Sequence, residues 1–185
     1  MDANIITAIE LITIPIIVAG LAIYIFSKYL KYEETRQKLA IDKARLEIVV
    51  PARMQAYERI VLFMERTQPE NLVRRTLRAN ISARAFQAEL VSTVRGEYEH
   101  NISQQIYISL NAWAMVKTAT EETIRLVNVA GTKVSANDSA TDLAEKIIEI
   151  TSQIGKFPTS MAIDNVKKEF AQYFIQATQP ELSDK

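Results

Sequence analysis

Residues 5–26, IITAIELITIPIIVAGLAIYIF, contain one charged residue, Glu10, in a run of 22. As a helix rising about 1.5 Å per residue, this run is roughly 33 Å long, enough to cross a hydrocarbon core of about 30 Å. A cleaved signal peptide would need basic residues before the run, and a buried core helix usually has a polar face. Residues 1–4 have no basic residue and residues 11–26 no polar face. The sequence therefore predicts an uncleaved transmembrane helix.

The basic residues near this helix all follow it, beginning with Lys28, Lys31, Arg36 and Lys38. Positive charge accumulates on the cytoplasmic side of single-pass helices, so we expect residues 1–4 outside and the rest of the chain in the cytoplasm. Glu10 is the polar residue of the span. It either reaches the outer interface, which its position near the end favours, or meets a partner helix or a proton path inside the membrane.

The chain after the apolar run is rich in helix-forming residues throughout and shows no strand alternation. Residues 27–50 are predicted to form a helical stalk. We expect that stalk to end before Pro51, because a residue that precedes proline avoids the α region. Residues 51–177 are predicted to form a helical bundle of five or six helices, followed by a flexible tail, residues 178–185. The fold class is all-α.

Within residues 51–177, apolar side chains recur at spacings of three and four, and polar residues mark the helix ends. Pro69 is predicted to begin a helix. Serines at three positions are predicted N-caps, and two glycines are predicted C-terminal stops: Ser82, Ser109, Ser139, Gly131, Gly155. Residues 132–140 are the one clear loop. Four aromatic residues are predicted to pack in the core: Tyr57, Phe63, Tyr107, Trp113.

The composition excludes most common catalytic sites. There is no cysteine, so disulfides, thiolate zinc sites and cysteine nucleophiles are absent. The four glycines are isolated and form no phosphate-binding loop. No cofactor is expected, and the net charge of zero with no recognised motif argues against nucleic-acid binding.

The single histidine, His100, stands three residues after Glu97. This spacing occurs in helical carboxylate-bridged metal sites, which draw two such pairs from two helices and further glutamates from others. One chain has half of the nitrogen ligands, and a symmetric dimer would be needed for the rest. A structural role near the helix end at Asn101 is the favoured interpretation, since the helix dipole stabilises a cation there.

Arginines are concentrated between Pro51 and Arg95, where eight arginines and no lysine accompany four glutamates. Arg74, Arg75 and Arg78 form the densest cluster and are candidate contacts to anionic lipid headgroups. Pairing within the chain is the alternative we favour: Glu70 with Arg74 on one helix, and other arginines with the acidic C-terminal half.

Several motifs resemble a family of uncharacterised proteins from Bacteroidota, which have an N-terminal membrane segment and a helical domain. They are QAYER at residues 55–59, LFMER at 62–66, PENL at 69–72, EYEHN at 97–101, QQIY at 104–107, and Trp113. The resemblance covers roughly residues 5–127. It implies a location in a bacterial inner membrane and no activity or site residues.

These observations lead to one main functional hypothesis and two alternatives. The main hypothesis is a non-enzymatic scaffold or accessory subunit, anchored in the bilayer, that binds protein partners at the cytoplasmic face or forms a homo-oligomer. The alternatives are a metal-carboxylate enzyme centred on Glu97 and His100, and a domain that binds anionic lipid through Arg74, Arg75 and Arg78.

Overall fold

The computed structural model describes residues 3–178, and the surroundings of side chains for residue 11, residue 13 and residues 15–174. In this part of the chain there are six α-helices, a short 3-10 helix, Ile102–Ile106, and no strand, which confirms the all-α prediction. The helices are α1 Ala3–Thr67, α2 Pro69–Thr76, α3 Ala83–Asn101, α4 Leu110–Gly131, α5 Ala140–Ile154 and α6 Pro158–Thr178. The side chain of Glu10, residues 1–2 of the predicted external segment and residues 179–185 of the predicted tail lie outside the described residues.

The chain divides into two compact units, Met1–Ile48 and Val49–Lys185. In the first unit the described side chains are exposed, apart from the half-buried Glu33. Among the described residues, α1 is the one helix whose length and apolar composition would allow it to cross a membrane.

The predicted helix end before Pro51 is wrong, because α1 continues to Thr67. Proline removes one backbone hydrogen bond from a helix and disfavours the α region for the residue before it. On its C-terminal side the helix is held by the buried side chains of Ala56, Tyr57 and Ile60. We attribute the continuation to this packing and to the uninterrupted hydrogen bonds on both sides, which outweigh the local preference.

The predicted helix starts are confirmed, and three serines cap them. Ser82 accepts a hydrogen bond from the backbone N–H of Ala85, and Ser109 accepts one from Ala112. Ser139 and Asp142 form a reciprocal capping box, with N–O distances of 2.9 and 3.2 Å. Each cap satisfies an N–H group that has no partner inside its helix.

The two predicted glycine stops are confirmed, but for different physical reasons. Gly155 follows α5 with φ of 73°, in the left-handed region that favours glycine. Gly131 ends α4 without a positive φ. There a Cβ atom would meet the amide end of the flexible Gln87 side chain, which would have to move aside.

A second loop, residues 77–82, lies beside the predicted one and was not foreseen. It contains Asn80, whose φ of 66° is left-handed. The backbone N–H of Ala83 donates to Asp138 across 2.8 Å, and that of Ala140 donates to Ile81 across 3.1 Å. These two bonds bring the N-termini of α3 and α5 together.

The core of the second unit consists of two clusters that share α4. One cluster joins α2, α3, α5 and the C-terminal half of α4 around Phe86 and Leu143. The other joins the end of α1, the N-terminal half of α4 and α6 around Phe63 and Val166. The end of α1 and the five later helices thus form a six-helix bundle, in agreement with the predicted five or six.

The four predicted core aromatics differ in burial. Tyr57 and Phe63 are buried. Tyr107 and Trp113 are half-buried, and Trp113 stacks on Tyr98 with ring centroids 5.6 Å apart.

Candidate functional site

Glu97, one of the two predicted metal candidates, is bound by two arginines. Its Oε1 atom lies 2.9 Å from Nη2 of Arg66 and 3.2 Å from Nη2 of Arg75, and its side chain is 16% exposed. Arg66 belongs to α1 and Arg75 to α2, so this carboxylate on α3 joins three helices. These two guanidinium groups neutralise the negative charge of the Glu97 carboxylate, which would otherwise be able to bind a metal ion.

His100, the other metal candidate, lies beside Arg59 of α1. Nη2 of Arg59 is 3.2 Å from Nε2 of the imidazole. Because a guanidinium group donates and does not accept, Nε2 of His100 is the acceptor in this hydrogen bond. Among the residues whose side chains are described, no three His, Asp or Glu residues are grouped so that they could hold a metal ion. In the described part of the chain, two arginines thus lie against Glu97 and one lies against His100.

The three candidate lipid-binding arginines each have a partner within the bundle. Arg74 donates to Oδ1 of Asn71 across 2.9 Å, so the predicted pair with Glu70 is not formed. Arg75 binds Glu97, as described above. Nη2 of Arg78 lies 2.8 Å from Oε1 of Glu89. Pairing within the chain, the favoured alternative, thus accounts for Arg75 and Arg78. The partner of Arg75, Glu97, lies in the acidic C-terminal half as predicted, whereas the partner of Arg78, Glu89, precedes that half.

Two other arginines, Arg84 and Arg95, make no ion pair or hydrogen bond with the described part of the chain. Both are exposed on α3 and line a polar groove of about 940 Å³ between α3, the end of α4 and the loop after it. Gln87 and Asn128 bridge this groove with a hydrogen bond of 3.0 Å. The arginine cluster that the sequence indicated thus binds partners within the chain. The arginines without a partner in the described part of the chain, Arg84 and Arg95, lie on α3 instead.

A polar network absent from the sequence-based predictions joins α1, α4 and α6. The hydroxyl of Tyr57 donates to Oε1 of Glu169 across 2.6 Å, and the backbone N–H of Ser109 donates to the same atom across 2.9 Å. The Ser109 hydroxyl donates to Oε2 of Glu169. Glu169 therefore caps α4 from another helix. Its contribution was not visible in the sequence, because it is 60 residues from Ser109.

The network shifts the ionisation of both acids in it. Burial, and then the hydrogen bond to Glu169, raise the pKa of Tyr57 well above its ordinary value of 10.0. Burial alone would raise the pKa of Glu169, but hydrogen bonds from Ser109 and Tyr57 outweigh it. The pKa of Glu169 therefore lies below the ordinary value of 4.5. Glu169 is held as an anion, so the arrangement serves as a structural cap and supplies no proton acceptor poised near neutral pH.

A second groove, between the end of α1 and α6, is apolar. We call it the α1–α6 groove; its volume is about 390 Å³. Its apolar lining consists of Met54, Tyr57, Val61, Leu62, Val166 and Phe170. Glu58, Glu65 and Lys167 stand among these residues on the two helices. Sequence periodicity assigned several of these apolar positions to the core, but Met54 is exposed.

Replacing Glu97 by alanine is expected to lower the free energy of unfolding by about 1–3 kcal/mol, since a charge-assisted hydrogen bond from Arg75 and an ion pair with Arg66 are lost. Removing Glu89, whose partner Arg78 is well exposed, should cost less than about 1 kcal/mol. Urea unfolding of both variants measures the difference. A metal chelator should leave the urea midpoint of the unaltered chain unchanged. If the chelator lowered the midpoint of the unaltered chain but not that of variants at Glu97 and His100, a bound metal would be supported instead.

Comparison with known proteins gives a family and no activity. No curated protein and no solved structure matches the chain significantly. The model of DUF7935, a family of unknown function, matches residues 3–173, and the chain belongs to that family.

Proposed function

We propose that this protein is a non-enzymatic scaffold or accessory subunit, anchored in a bacterial inner membrane, whose bundle binds protein partners at the cytoplasmic face. The observation that carries the proposal is the exposure of the apolar run. From residue 15 to residue 32 every side chain is exposed, including Ile17, Leu21 and Ile25. No described part of the first unit covers them.

Leaving such side chains in water is costly. A Val, Leu, Ile or Phe side chain is stabilised by about 1.5–3 kcal/mol when it is removed from water. The run exposes its apolar groups on all sides of the helix, whereas a helix that docks on a protein surface exposes one polar face. A bilayer covers all sides at once. Lys28 and Lys31 then stand just beyond the span, which supports a cytoplasmic bundle.

Two features of the bundle favour a binding role over catalysis. Arginines lie against the candidate metal residues Glu97 and His100, and the half-buried network of Glu169 caps a helix. An anchor that confines a domain to a membrane raises its effective concentration toward neighbours there, so modest surfaces suffice for assembly.

A topology experiment tests the proposal. A reporter that fluoresces only in the cytoplasm, fused after Lys185 of the full chain, is expected to be bright in membrane fractions. Alkaline phosphatase at the same position should be inactive. The control replaces Lys28, Lys31, Arg36 and Lys38 by glutamine and inserts lysines before residue 5, which should invert a fraction of the molecules. A bright reporter in the soluble fraction, or active phosphatase on the unaltered chain, would refute the proposed location.

A further inference from the structure

The α1–α6 groove is an apolar surface on the bundle that no described part of the chain covers. Leu62 is 57% exposed and Met54 44% exposed, both on α1, and Phe170 on α6 is half-buried. Val61 and Val166 form the floor between them. Contiguous exposed apolar surface with polar residues around it is typical of interaction sites.

The two helices bring opposite charges to the two sides of this groove. Glu58 and Glu65 stand on α1, and Lys167 stands on α6. None of the three makes an ion pair within the part of the chain whose side chains are described. Some charges elsewhere in the bundle, such as Arg66, Arg78 and Lys156, have partners within reach.

The two helices run antiparallel, which fixes the height of each charge along the groove. Tyr57 contacts Glu169, and eleven residues further along the chain Gln68, which directly follows α1, donates its side-chain amide to Ser160 across 2.8 Å. Lys167 therefore lies at the level of the helical turn that has Glu58 and Leu62. A surface that approaches this groove meets acid on one side and base on the other at about the same height.

We propose that the α1–α6 groove binds the same groove of a second copy of this chain, which forms a symmetric homodimer. A two-fold axis that runs along the groove places the α1 side of each copy over the α6 side of the other. Glu58 of each copy then faces Lys167 of the other, with Glu65 about two helical turns further along α1, while Leu62 and Phe170 close the apolar centre. An axis across the groove would place acid over acid.

A second copy fits this charge pattern better than a partner of one sign. A basic helix would meet Glu58 and Glu65 but repel Lys167, and an acidic helix would do the reverse. A two-fold interface uses one patch on both subunits, so a patch with both charges is complementary to itself. The inference concerns the bundle and does not depend on the proposed membrane location.

Charge reversal in the full chain, purified in mild detergent, tests the proposal by native mass analysis and sedimentation. The variant Glu58→Lys/Glu65→Lys should dimerise at least about tenfold more weakly, because like charges then face each other. Lys167→Glu alone should also weaken the dimer. The triple variant that combines all three changes should recover an affinity within about threefold of the unaltered chain, since opposite charges again meet.

Matched controls separate this interface from other contacts. Glu99→Lys/Glu145→Lys makes the same change of net charge at exposed carboxylates without ion pairs, and should leave the dimer unchanged. Because the chain has no cysteine, Leu62→Cys in native membranes should give a cross-linked dimer with a bifunctional thiol reagent. Ala88→Cys, in the polar groove of α3, should not.

Three results would overturn the proposal. The first is a full chain that stays monomeric and gives no cross-linked dimer through Leu62→Cys. The second is a dimer insensitive to all of the charge variants, which would place the contact elsewhere, for example in residues 5–26. The third is a triple variant as weak as the double one although its helical circular dichroism is unchanged. In each of these three cases, a topology reporter that is bright in the cytoplasm would still support the proposed function.

Discussion

Glu169→Ala is expected to lower the free energy of unfolding by about 2–4 kcal/mol. The carboxylate accepts hydrogen bonds from the Tyr57 hydroxyl and from the backbone and side chain of Ser109. A hydrogen bond to a charged group contributes about 1.5–3 kcal/mol to stability. A buried donor that is left without a partner costs about 1–3 kcal/mol. Tyr57 is 4% exposed and its hydroxyl relies on Glu169 as its acceptor, whereas Ser109 is exposed and can bind water in place of the carboxylate.

Chemical denaturation measures this loss, and Asp164→Ala is the matched control. Asp164 is a carboxylate on the same helix, but it is exposed and pairs with the exposed Lys156. Its removal should change the free energy of unfolding far less than Glu169→Ala does, because solvent screens an exposed ion pair. Equal losses in the two variants would show that Glu169 contributes no more than a surface charge.

The same network gives an expected dependence of stability on pH. The pKa of Glu169 is lower in the folded chain than the ordinary 4.5. Its contribution is therefore complete above about pH 4.5 and is lost as the pH falls through the lower folded pKa. The pKa of Tyr57 is raised above 10.0, so its contribution is complete below pH 10 and declines as the pH rises beyond it.

Urea unfolding between pH 3 and 7, and between pH 9 and 11, tests both limbs. Glu169→Gln should flatten the acid limb, because it removes the group that titrates there. Tyr57→Phe should flatten the alkaline limb, so that the free energy of unfolding depends less on pH above pH 10. An acid limb that is unchanged in Glu169→Gln would show that other carboxylates are responsible.

Local signals explain why much of the helical layout could be predicted. Ser82, Ser109 and Ser139 cap their helices with groups three residues away, so the whole interaction is contained in a short window of sequence. Gly155 ends α5 through its own backbone conformation. Contacts of this range can be derived from residue type and spacing alone.

Interactions between distant helices explain what could not be predicted. Glu169 is in an ordinary charged position of α6, and nothing near it in the sequence indicates that it caps α4. Glu97 likewise stands beside the histidine in sequence, but its partners come from α1 and α2. At Pro51 the local rule favoured a break, and packing further along α1 favoured continuation. Tertiary contacts decided each of these cases.

Phe63→Ala and Phe86→Ala are each expected to lower the free energy of unfolding by about 3–5 kcal/mol, the range for removing a fully buried phenylalanine. Phe63 is 1% exposed in the cluster formed with α6, and Phe86 is 0% exposed in the cluster formed with α5. Each substitution leaves a cavity that the surrounding helices fill only in part. The two losses should be similar because the sites are equally buried.

The shared helix α4 determines how these losses should appear in an experiment. It packs in both clusters, with Val116 in one and Val127 in the other, so the loss of either cluster removes part of the packing that holds α4 in place. We therefore expect one unfolding transition in each variant, with the midpoint lowered and the slope unchanged. Leu110→Ala, at a side chain 90% exposed, should stay within about 0.5 kcal/mol of the unaltered chain. If Phe86→Ala instead produced two transitions, with helical signal retained between them, the clusters would unfold independently and α4 would not couple them.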